Sequence, residues 1–507
     1  MNLSDQEIAD ILNKDGARLY FIGIGGIAMS AAANLARSFG YEVSGSDSRE
    51  VYSPAKDVLD RNKIQYFVGY DAKHVTDAQV DLFIVSAGEG PENPELKFVL
   101  ESNRPRVGLA ELLYELSKDD LRILVAGTHG KTTTSGLLGH LVRNLDNSSF
   151  MAGGVLQNYQ SNFYRGDGHY FVFEGDEYKE QFDDPTPKFQ YYKPDILVLT
   201  NLEYDHPDQF ESLEALQQEF SLLIEGMPED GLIVYNADDA NLGKLVHRSN
   251  VTSVSFGIDN EADFQVRDIR YGPDNTAIEV SNKFSKDMLE RLLEKTEEYK
   301  IQLPGRINVY NALAAIATLR TLGFSRENLV LDLLSYQGIK RRFELVGTKN
   351  GVVLIDDYAH HPTAVRETLE AARLRYFSSS LDFNDDQALK VKNKATGRLW
   401  AVFEPHTFSR TKATLVDLLK SFDSADEVLL SEIYAAREKI AEATISSANV
   451  VQAIKDQGSK IKDHIRLVRD KQQALNILKK EAKPGDVIIV MAVGNFNRLA
   501  YELKDLL

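Results

Sequence analysis

The chain has 507 residues, a formal net charge of -18 and no cysteine. Its length predicts about three domains of roughly 150 residues each. The missing cysteines exclude disulfides and thiolate metal sites, and the acidic balance argues against binding to nucleic acid or anionic lipid. No apolar run is long enough for a membrane span and the chain starts without an export signal, so we expect a cytoplasmic protein with no membrane insertion.

The first part of the chain predicts a nucleotide-binding α/β unit. An apolar run at 19–22 leads into a glycine turn at 23–28 and then into a helix-compatible stretch. Further strands are predicted at 41–44, which leads into Gly45-Ser46-Asp47, and at 82–85, which ends at Ser86. Alternating strands and helices are typical of a parallel doubly wound sheet. The glycine turn favours a nucleotide diphosphate site, and the alternative is a tight turn that packs helix on sheet.

The segment LRILVAGTHGKTTTS at 121–135 predicts a polyphosphate site between a strand and a helix. Glycines in such a turn let backbone N–H groups point at phosphate oxygens, and Lys131 adds a positive charge. A hydroxyl of Thr132 or Thr133 suits a helix cap or a Mg2+ ligand. The segment is a shortened variant of the P-loop fingerprint, because Val125 stands where that fingerprint has glycine.

Two polar segments follow strands of the same predicted sheet. Glu174 follows the strand at 171–173, and His206 lies beyond the strand at 196–199. Parallel strands share their carboxyl edge, so we expect both side chains near the phosphate loop. They are candidates for a Mg2+ site, although imidazole is an unusual ligand for this ion. A structural salt bridge is the alternative.

A third unit is predicted from about Val346, with a strand at 352–355 that leads into DDYAHHP. The cations of 340–343 precede it and form either a solvated face or a contact to a transferring phosphoryl group. Arg410 and Arg437 follow later strands and suit capture of a carboxylate or an interdomain ion pair.

Two segments are interpreted as additions to this framework. The stretch 282–300 predicts a charged amphipathic helix or a pair of turns, and 377–398 predicts a mobile insertion rich in Ser, Asp, Asn and Lys. The polar link Ser117 to Asp120 predicts the first domain boundary.

Taken in series, these segments resemble the Mur ligase family. The resemblance rests on the motifs GIGGIAMS, GSD, GTHGKTTT, Glu174, His206, NVYNALAA, KRRFE, DDYAHHPT, HTFSRT and IYAAREK. It implies three α/β domains: a Rossmann-like domain at 1–118 that binds the UDP substrate, a central P-loop-type ATP-binding domain at 119–344, and a Rossmann-like domain at 345–507 that binds the amino acid.

The resemblance also implies an activity. ATP would phosphorylate the carboxylate of UDP-N-acetylmuramate, and an amine would attack the acyl phosphate, with Mg2+ as cofactor, in peptidoglycan precursor synthesis. The terminal motifs favour L-alanine as the amine. The stretch 183–192 instead resembles members that reattach L-alanyl-γ-D-glutamyl-meso-diaminopimelate during cell-wall recycling, which is the alternative. We expect a monomer or homodimer.

The family motifs carry site roles onto this sequence by position. Contacts to the UDP substrate are implied for Gly25, Gly26, Ser46, Asp47 and Ser86. ATP contacts are implied for Gly127, Thr128, Gly130, Lys131, Thr132, Thr133, Asn308, Asn311, Arg342 and Asp357. The implied Mg2+ ligands are Thr132, Glu174 and His206. The implied catalytic set is Lys131, Glu174, His206, Arg342 and His360. The acceptor side of the site comprises His129, His360, His406, Arg410 and Arg437.

Two positions depart from the family pattern. Ile307 stands where the family usually has histidine, which puts one adenine contact in doubt, and Gly69-Tyr70 replaces a Gly-His pair that supports the uridine. A nonenzymatic nucleotide sensor and a folate polyglutamate ligase are competing interpretations. The sensor need not keep the full catalytic set, and the folate ligase lacks the turn at 23–28.

Overall fold

The computed structural model describes residues 3–53, 55–76, 79–205, 209–272, 274–283, 295–377, 397–436, 438–439, 443–457 and 460–506. Within these ranges, a five-stranded, a ten-stranded and a six-stranded sheet follow one another, and a two-stranded hairpin accompanies the second. Helices pack around the sheets, which confirms the predicted α/β class. Among the described helices, none has the length and apolar character needed to cross a membrane.

The first sheet is parallel throughout, with strand order β3-β2-β1-β4-β5. Its strands are β1 (Arg18–Ile22), β2 (Glu42–Asp47), β3 (Gln65–Val68), β4 (Leu82–Val85) and β5 (Arg106–Val107). Its helices are α1 (Asp5–Leu12), α2 (Ile27–Ser38), α3 (Ala55–Arg61), α4 (Lys73–Thr76), α5 (Pro94–Glu101) and α6 (Leu109–Leu116). Side chains of β1 alternate between two faces: Leu19 and Phe21 enter one apolar cluster and Tyr20 enters another. Both faces of this sheet are therefore covered.

The second sheet has the order β17-β16-β15-β14-β13-β12-β6-β9-β7-β8. Its strands and the hairpin strands β10 and β11 are β6 (Leu121–Ala126), β7 (Ser149–Leu156), β8 (Ser161–Tyr164), β9 (Tyr170–Glu174), β10 (Lys179–Gln181), β11 (Asp184–Pro187), β12 (Ile196–Leu199), β13 (Leu232–Asn236), β14 (Thr252–Gly257), β15 (Phe264–Tyr271), β16 (Thr276–Asn282) and β17 (Lys295–Ile301). The helices are α7 (Lys131–Asp146), α8 (Leu213–Glu225), α9 (Ala240–Val246), α10 (Arg306–Thr321) and α11 (Arg326–Ser335), with a 3-10 helix at Lys188–Tyr192.

Strand β6 lies between β9 and β12 and is parallel to both. Ile123 and Val125 pack on one side of it and Leu124 on the other, as expected for a strand buried on both faces. The carboxyl ends of these three strands therefore meet at one edge of the sheet. This edge carries the phosphate loop, Glu174 and the loop that follows β12.

The expectation for 282–300 is wrong where the structure describes it. Residues 295–300 belong to β17, which pairs antiparallel with β16 up to Asn282. Alternating charges in this stretch lie on a sheet edge rather than on a helix. Residues 284–294 lie outside the described residues, as do 378–396 of the predicted insertion at 377–398.

The third sheet has the order β18-β19-β23-β20-β21-β22, with β18 antiparallel at the edge. Its strands are β18 (Glu344–Lys349), β19 (Val352–Asp357), β20 (Leu399–Phe403), β21 (Glu427–Leu430), β22 (Ile465–Leu467) and β23 (Val487–Met491). Its helices are α12 (Pro362–Ala372), α13 (Phe408–Ala413), α14 (Leu415–Leu418), α15 (Ser447–Asp456), α16 (Lys471–Glu481) and α17 (Arg498–Leu506), with a π-helical turn at Arg373–Phe377 and a 3-10 helix at Asn495–Asn497. The domain limits at 118/119 and 344/345 stay a proposal.

The β10–β11 hairpin joins the first unit to the second. Arg106 of β5 forms an ion pair with Asp183 at 2.6 Å. Glu180, which has no exposed surface, accepts the Ala110 N–H at the start of α6 at 2.6 Å. The stretch 183–192, which resembles the recycling members, thus begins at an interdomain contact.

Glu180 predicts a pH-dependent stability. Burial raises the pKa of Glu180 from 4.5 to about 8. The folded protein keeps a proton on Glu180 that the unfolded chain releases at lower pH. The stability from this group is therefore lost as pH rises from about 5 to 8, and the free energy of unfolding falls by at most about 1.4 kcal/mol per pH unit. Glu180→Gln keeps a hydrogen-bond acceptor but does not titrate. Its melting temperature should fall less than that of the wild type between about pH 6 and 8.

A matched control is Glu101→Gln, at an exposed position with 68% of its side chain accessible. This variant should keep the pH dependence of the wild type. An identical pH dependence in Glu180→Gln and the wild type would show that Glu180 does not retain its proton.

Candidate active site

The phosphate loop connects β6 to α7 and depends on glycine at two places. Gly127 has φ +136° and Gly130 has φ +82°, a region that side chains with a Cβ rarely adopt. A Cβ on Gly127 would also collide with the Thr200 hydroxyl, and one on Gly130 with the Asn311 side chain. The loop therefore packs against its neighbours without room for larger residues.

The loop after β12 fixes the backbone of the phosphate loop. The Thr128 N–H donates to the Asn201 carbonyl at 3.0 Å, and the His129 N–H donates to Asn201 Oδ1 at 2.7 Å. Asn201 Nδ2 in turn donates to the His129 carbonyl at 2.9 Å. No specific role of Asn201 was predictable from the sequence, where the only signal was its position after a strand of the same sheet.

Lys131 begins α7 and is mostly buried. Its Nζ donates to the Gly127 carbonyl at 2.6 Å and lies 2.8 Å from Glu177 Oε2. Burial alone would lower the pKa of Lys131, but the charge and hydrogen bond of Glu177, together with the charges of Glu174 and Asp176, raise it. The amine is therefore a cation beside the loop, held by a carboxylate whose role the sequence did not predict.

Thr132 and Glu174 lie together at the carboxyl edge. Thr132 Oγ1 donates to Glu174 Oε1 at 2.9 Å, and the Gly153 N–H donates to Glu174 Oε2 at 2.9 Å. Burial raises the pKa of Glu174, and the nearby charge of Lys131 opposes that shift. A hydroxyl and a carboxylate are hard oxygen donors that fit Mg2+. The third predicted ligand, His206, lies outside the described residues.

Asn308 and Asn311, two of the predicted ATP contacts, lie on α10 and connect it to α7. Thr134 Oγ1 donates to Asn311 Oδ1 at 3.1 Å, and Asn311 Nδ2 donates to Asn308 Oδ1 at 3.1 Å. Asn311 and Ile307 line two adjoining cavities of about 270 and 280 Å³. The second of these cavities also has Tyr310 in its wall.

The two arginines of the linker between the second and third sheets have different surroundings. Arg341 Nη2 donates to the Ala492 carbonyl at 2.6 Å, so this residue attaches the linker to the third unit. Arg342 instead lines the cavity of about 270 Å³, with its guanidinium 5.1 Å from the Tyr358 ring centroid. A uniform solvated face, one of the two interpretations of this run, is wrong because Arg341 is engaged with the third unit.

Asp357 ends β19 and orders the turn that follows it. It accepts the Phe343 N–H at 2.6 Å and the Ala359 N–H at 2.6 Å. Burial raises the pKa of Asp357, and the charge of Arg342 opposes the shift. Asp357 therefore connects the linker to the DDYAHHP motif and lines the same cavity.

The histidines of the acceptor side form two groups. His360 Nδ1 donates to the Tyr358 carbonyl at 2.9 Å, and the His360 ring meets the His406 ring edge-on, with ring centroids 5.3 Å apart. Burial, followed by the charge of Arg410, lowers the pKa of His360 well below its ordinary value. His129 Nε2 lies 3.4 Å from Glu203 Oε2, and this contact with His129 is the main cause that lowers the pKa of Glu203 to about 2.

Arg410 is engaged across the interface between the second and third units. Its Nη2 lies 2.8 Å from Asp205 Oδ1, and its Nη1 lies 3.5 Å from His406 Nδ1. One of the two interpretations of Arg410, an interdomain ion pair, is therefore present in this structure. Arg437 lies outside the described residues.

The predicted UDP contacts lie at the carboxyl edge of the first sheet. Gly25 donates its N–H to Asp47 Oδ2 at 2.8 Å, and Gly26 is the N-cap of α2. Ser46 has no exposed surface, and its hydroxyl donates to buried Glu95. The Ser46 side chain is therefore engaged inside the first unit, and the structure does not support its predicted contact with the substrate.

Two further residues complete this edge. The Ser86 N–H donates to the Ile22 carbonyl at 3.0 Å, so Ser86 continues the ladder between β1 and β4. Tyr70, which stands at the departure from the family pattern, donates its hydroxyl to Glu89 Oε1 at 2.6 Å. Glu89 lies on the loop after β4, so Tyr70 connects that loop to the end of β3.

Comparison with known proteins gives a consistent result. Residues 18–120 match the Mur ligase family catalytic domain, residues 125–319 the Mur ligase middle domain and residues 341–380 the Mur ligase glutamate ligase domain. The UDP-N-acetylmuramate--L-alanine ligase of Clostridium acetobutylicum is 32% identical over 96% of this chain and 97% of its own length. The protein of the same name from Acetivibrio thermocellus is 34% identical over 94% and 93%.

Solved structures show the same similarity. A UDP-N-acetylmuramate-alanine ligase from Thermotoga maritima has a TM-score of 0.74 at 23% identity, covering 96% of this chain and 98% of that one. At this identity the comparison shows a shared fold. A murein peptide ligase from Psychrobacter arcticus has a TM-score of 0.69 at 28% identity, with the same coverage of both chains.

Replacement of Lys131 should impair phosphoryl transfer, because its amine lies beside the phosphate loop. Lys131→Ala removes the cation beside the loop, and we expect the rate of phosphate release from ATP to fall by a factor on the order of 10² or more. The variant should stay folded at the assay temperature, although its melting temperature falls because the buried Glu177 carboxylate loses its contact with Lys131. The control Lys118→Ala removes a lysine paired with Glu115 at 2.5 Å, away from the cavity, and should be active. Near-normal turnover in Lys131→Ala would refute the assignment of the loop.

Proposed function

The chain belongs to the Mur ligase family, and we propose that it joins L-alanine to the carboxylate of UDP-N-acetylmuramate at the expense of ATP. One observation carries the enzymatic interpretation: a cavity of about 270 Å³ is lined by Lys131 and Glu174 of the second unit, by Arg342 of the linker and by His360 of the third unit. The choice of L-alanine is supported by curated relatives of that name that match nearly the whole chain.

The proposed reaction has two steps. A carboxylate oxygen of UDP-N-acetylmuramate attacks the γ-phosphorus of ATP, the bond to ADP breaks, and an acyl phosphate forms. The amine nitrogen then attacks the acyl carbon, the carbon–oxygen bond to phosphate breaks, and the amine loses a proton. The products are the amide, ADP and inorganic phosphate.

The first step depends on positioning positive charge around the transferring group. Backbone N–H groups in the first turn of α7 and the Lys131 amine would bind phosphate oxygens, and Lys131 would exchange Glu177 for this anion. Arg342 would stabilise the charge from the opposite side of the cavity. When bound, Mg2+ supplies further neutralisation of phosphate charge; Thr132, Glu174 and His206 are the residues proposed to hold it.

The second step takes place beside neutral imidazoles. Because His360 Nδ1 donates to the Tyr358 carbonyl, Nε2 of the neutral ring carries no proton and can accept a hydrogen bond from the incoming amine. Burial also lowers the pKa of His361 to about 4, so this ring adds no charge near the acyl phosphate. A neutral wall leaves the ionic contacts of the acceptor to Arg410 and its surroundings.

The remaining assignments complete the proposal. Gly25, Gly26, Asp47 and Ser86 are proposed to lie along the UDP part, and Asn308, Asn311 and Asp357 along ATP. His129, His406 and Arg437 are proposed on the acceptor side. We also propose a cytoplasmic enzyme that acts as a monomer or homodimer.

A second candidate is the ligation of L-alanyl-γ-D-glutamyl-meso-diaminopimelate. It is favoured by the murein peptide ligase that is 28% identical over 96% of the chain. The stretch 183–192 had favoured it too, but Asp183 pairs with Arg106 at the contact between the first two units rather than beside the amine.

The amine is tested by phosphate release from ATP with UDP-N-acetylmuramate and each acceptor in turn. We predict a kcat/KM for L-alanine above that for the tripeptide. A preference for the tripeptide of tenfold or more, about 1.4 kcal/mol of transition-state discrimination in the opposite direction, would establish the recycling activity instead. Lys131→Ala enzyme gives the background rate for both acceptors.

A further inference from the structure

An ion pair between two domains closes one side of the cavity. Asp205 lies in the loop after β12, and Arg410 lies in α13 of the third unit, with Arg410 Nη2 and Asp205 Oδ1 2.8 Å apart. Each side chain is only 7% exposed. A buried pair of this kind gives up the hydration of both charges, so it is weak evidence for a role in stability alone.

The two partners differ in their access to the cavity. Asp205 lines the cavity of about 270 Å³ together with His360 and Lys131, whereas Arg410 does not contribute to the described lining, and its Nη1 lies 3.5 Å from His406 Nδ1. A ligand that enters the cavity therefore meets the carboxylate first. It reaches the guanidinium only if Asp205 changes its partner.

The chemistry of an α-amino acid complements this pair. Its carboxylate matches the guanidinium of Arg410, and its ammonium matches the carboxylate of Asp205. We propose that Asp205 is the binding partner of the acceptor ammonium: the amino acid inserts into the ion pair, so that its carboxylate binds Arg410 and its ammonium binds Asp205. The inference rests on the proposed function and names a recognition residue for its second substrate.

Charge balance favours insertion over simple displacement. If the substrate carboxylate merely replaced Asp205, the buried Asp205 carboxylate would lose its ion pair with Arg410, which is unfavourable. Insertion of a zwitterion turns one internal pair into two intermolecular pairs and leaves no unpaired charge. His360 and His361 face the same space with pKa values held low by burial, so they supply no competing cation.

The test compares L-alanine with hydroxylamine as acceptor. Hydroxylamine is a neutral nucleophile near pH 8 that captures acyl phosphates and carries neither a carboxylate nor an ammonium group. The readout is the ratio of the L-alanine-dependent to the hydroxylamine-dependent rate of phosphate release from ATP and UDP-N-acetylmuramate. Wild type, Asp205→Asn and Asp205→Glu are compared. The control Asp195→Asn alters an Arg–Asp pair with Arg122 at the opposite end of β12.

We expect Asp205→Asn to lower this ratio by about tenfold or more through a higher KM for L-alanine, because a charge-assisted contact is lost. Asp205→Glu should restore much of the ratio, and Asp195→Asn should leave it unchanged. An unchanged or increased ratio in Asp205→Asn, or an equal loss of both rates, would overturn the proposal. If the wild type releases no phosphate with either acceptor, the proposed function itself fails.

Discussion

The parallel pairing of β6 with β9 and β12 is the constraint on which the rest of the site depends. It places the ends of three buried strands side by side, so the phosphate loop, Glu174 and the loop after β12 share one edge. Each of these elements then stabilises another: Asn201 holds the loop backbone, and Glu174 accepts a hydrogen bond from Thr132. A polyphosphate bound here would meet preorganised donors rather than donors that must be ordered on binding.

The third unit completes this edge from the other side. Asp357 accepts an N–H from Phe343 and orders the linker, while Arg341 binds the carbonyl of Ala492. The two adjacent arginines thus make different contacts, because Arg341 attaches the linker to the third unit and Arg342 lines the cavity. Residues of two units therefore line one cavity, and a rotation of the third unit would move His360 relative to the phosphate loop.

The features that could be predicted from the sequence are those that short stretches of the chain determine. Apolar runs identified the principal parallel strands, and the shared carboxyl edge followed from the topology rule for parallel sheets. Pairings over long separations were not predictable. The segment 295–300 forms a strand only because β16 pairs with it, and the Ser46 hydroxyl is committed to Glu95, 49 residues away. Glu177 and Asp205 likewise gain their partners through the tertiary fold, which a pattern of neighbours along the chain does not reveal.

The central claim is that the carboxylate of UDP-N-acetylmuramate is activated as an acyl phosphate in this cavity. Substrate labelled with 18O in that carboxylate tests the claim directly, by mass analysis of the inorganic phosphate released in the presence of ATP and L-alanine. Because the carbon–oxygen bond breaks in the second step, the account predicts one carboxylate-derived oxygen in each phosphate. Phosphate that contains no oxygen from the carboxylate would contradict it.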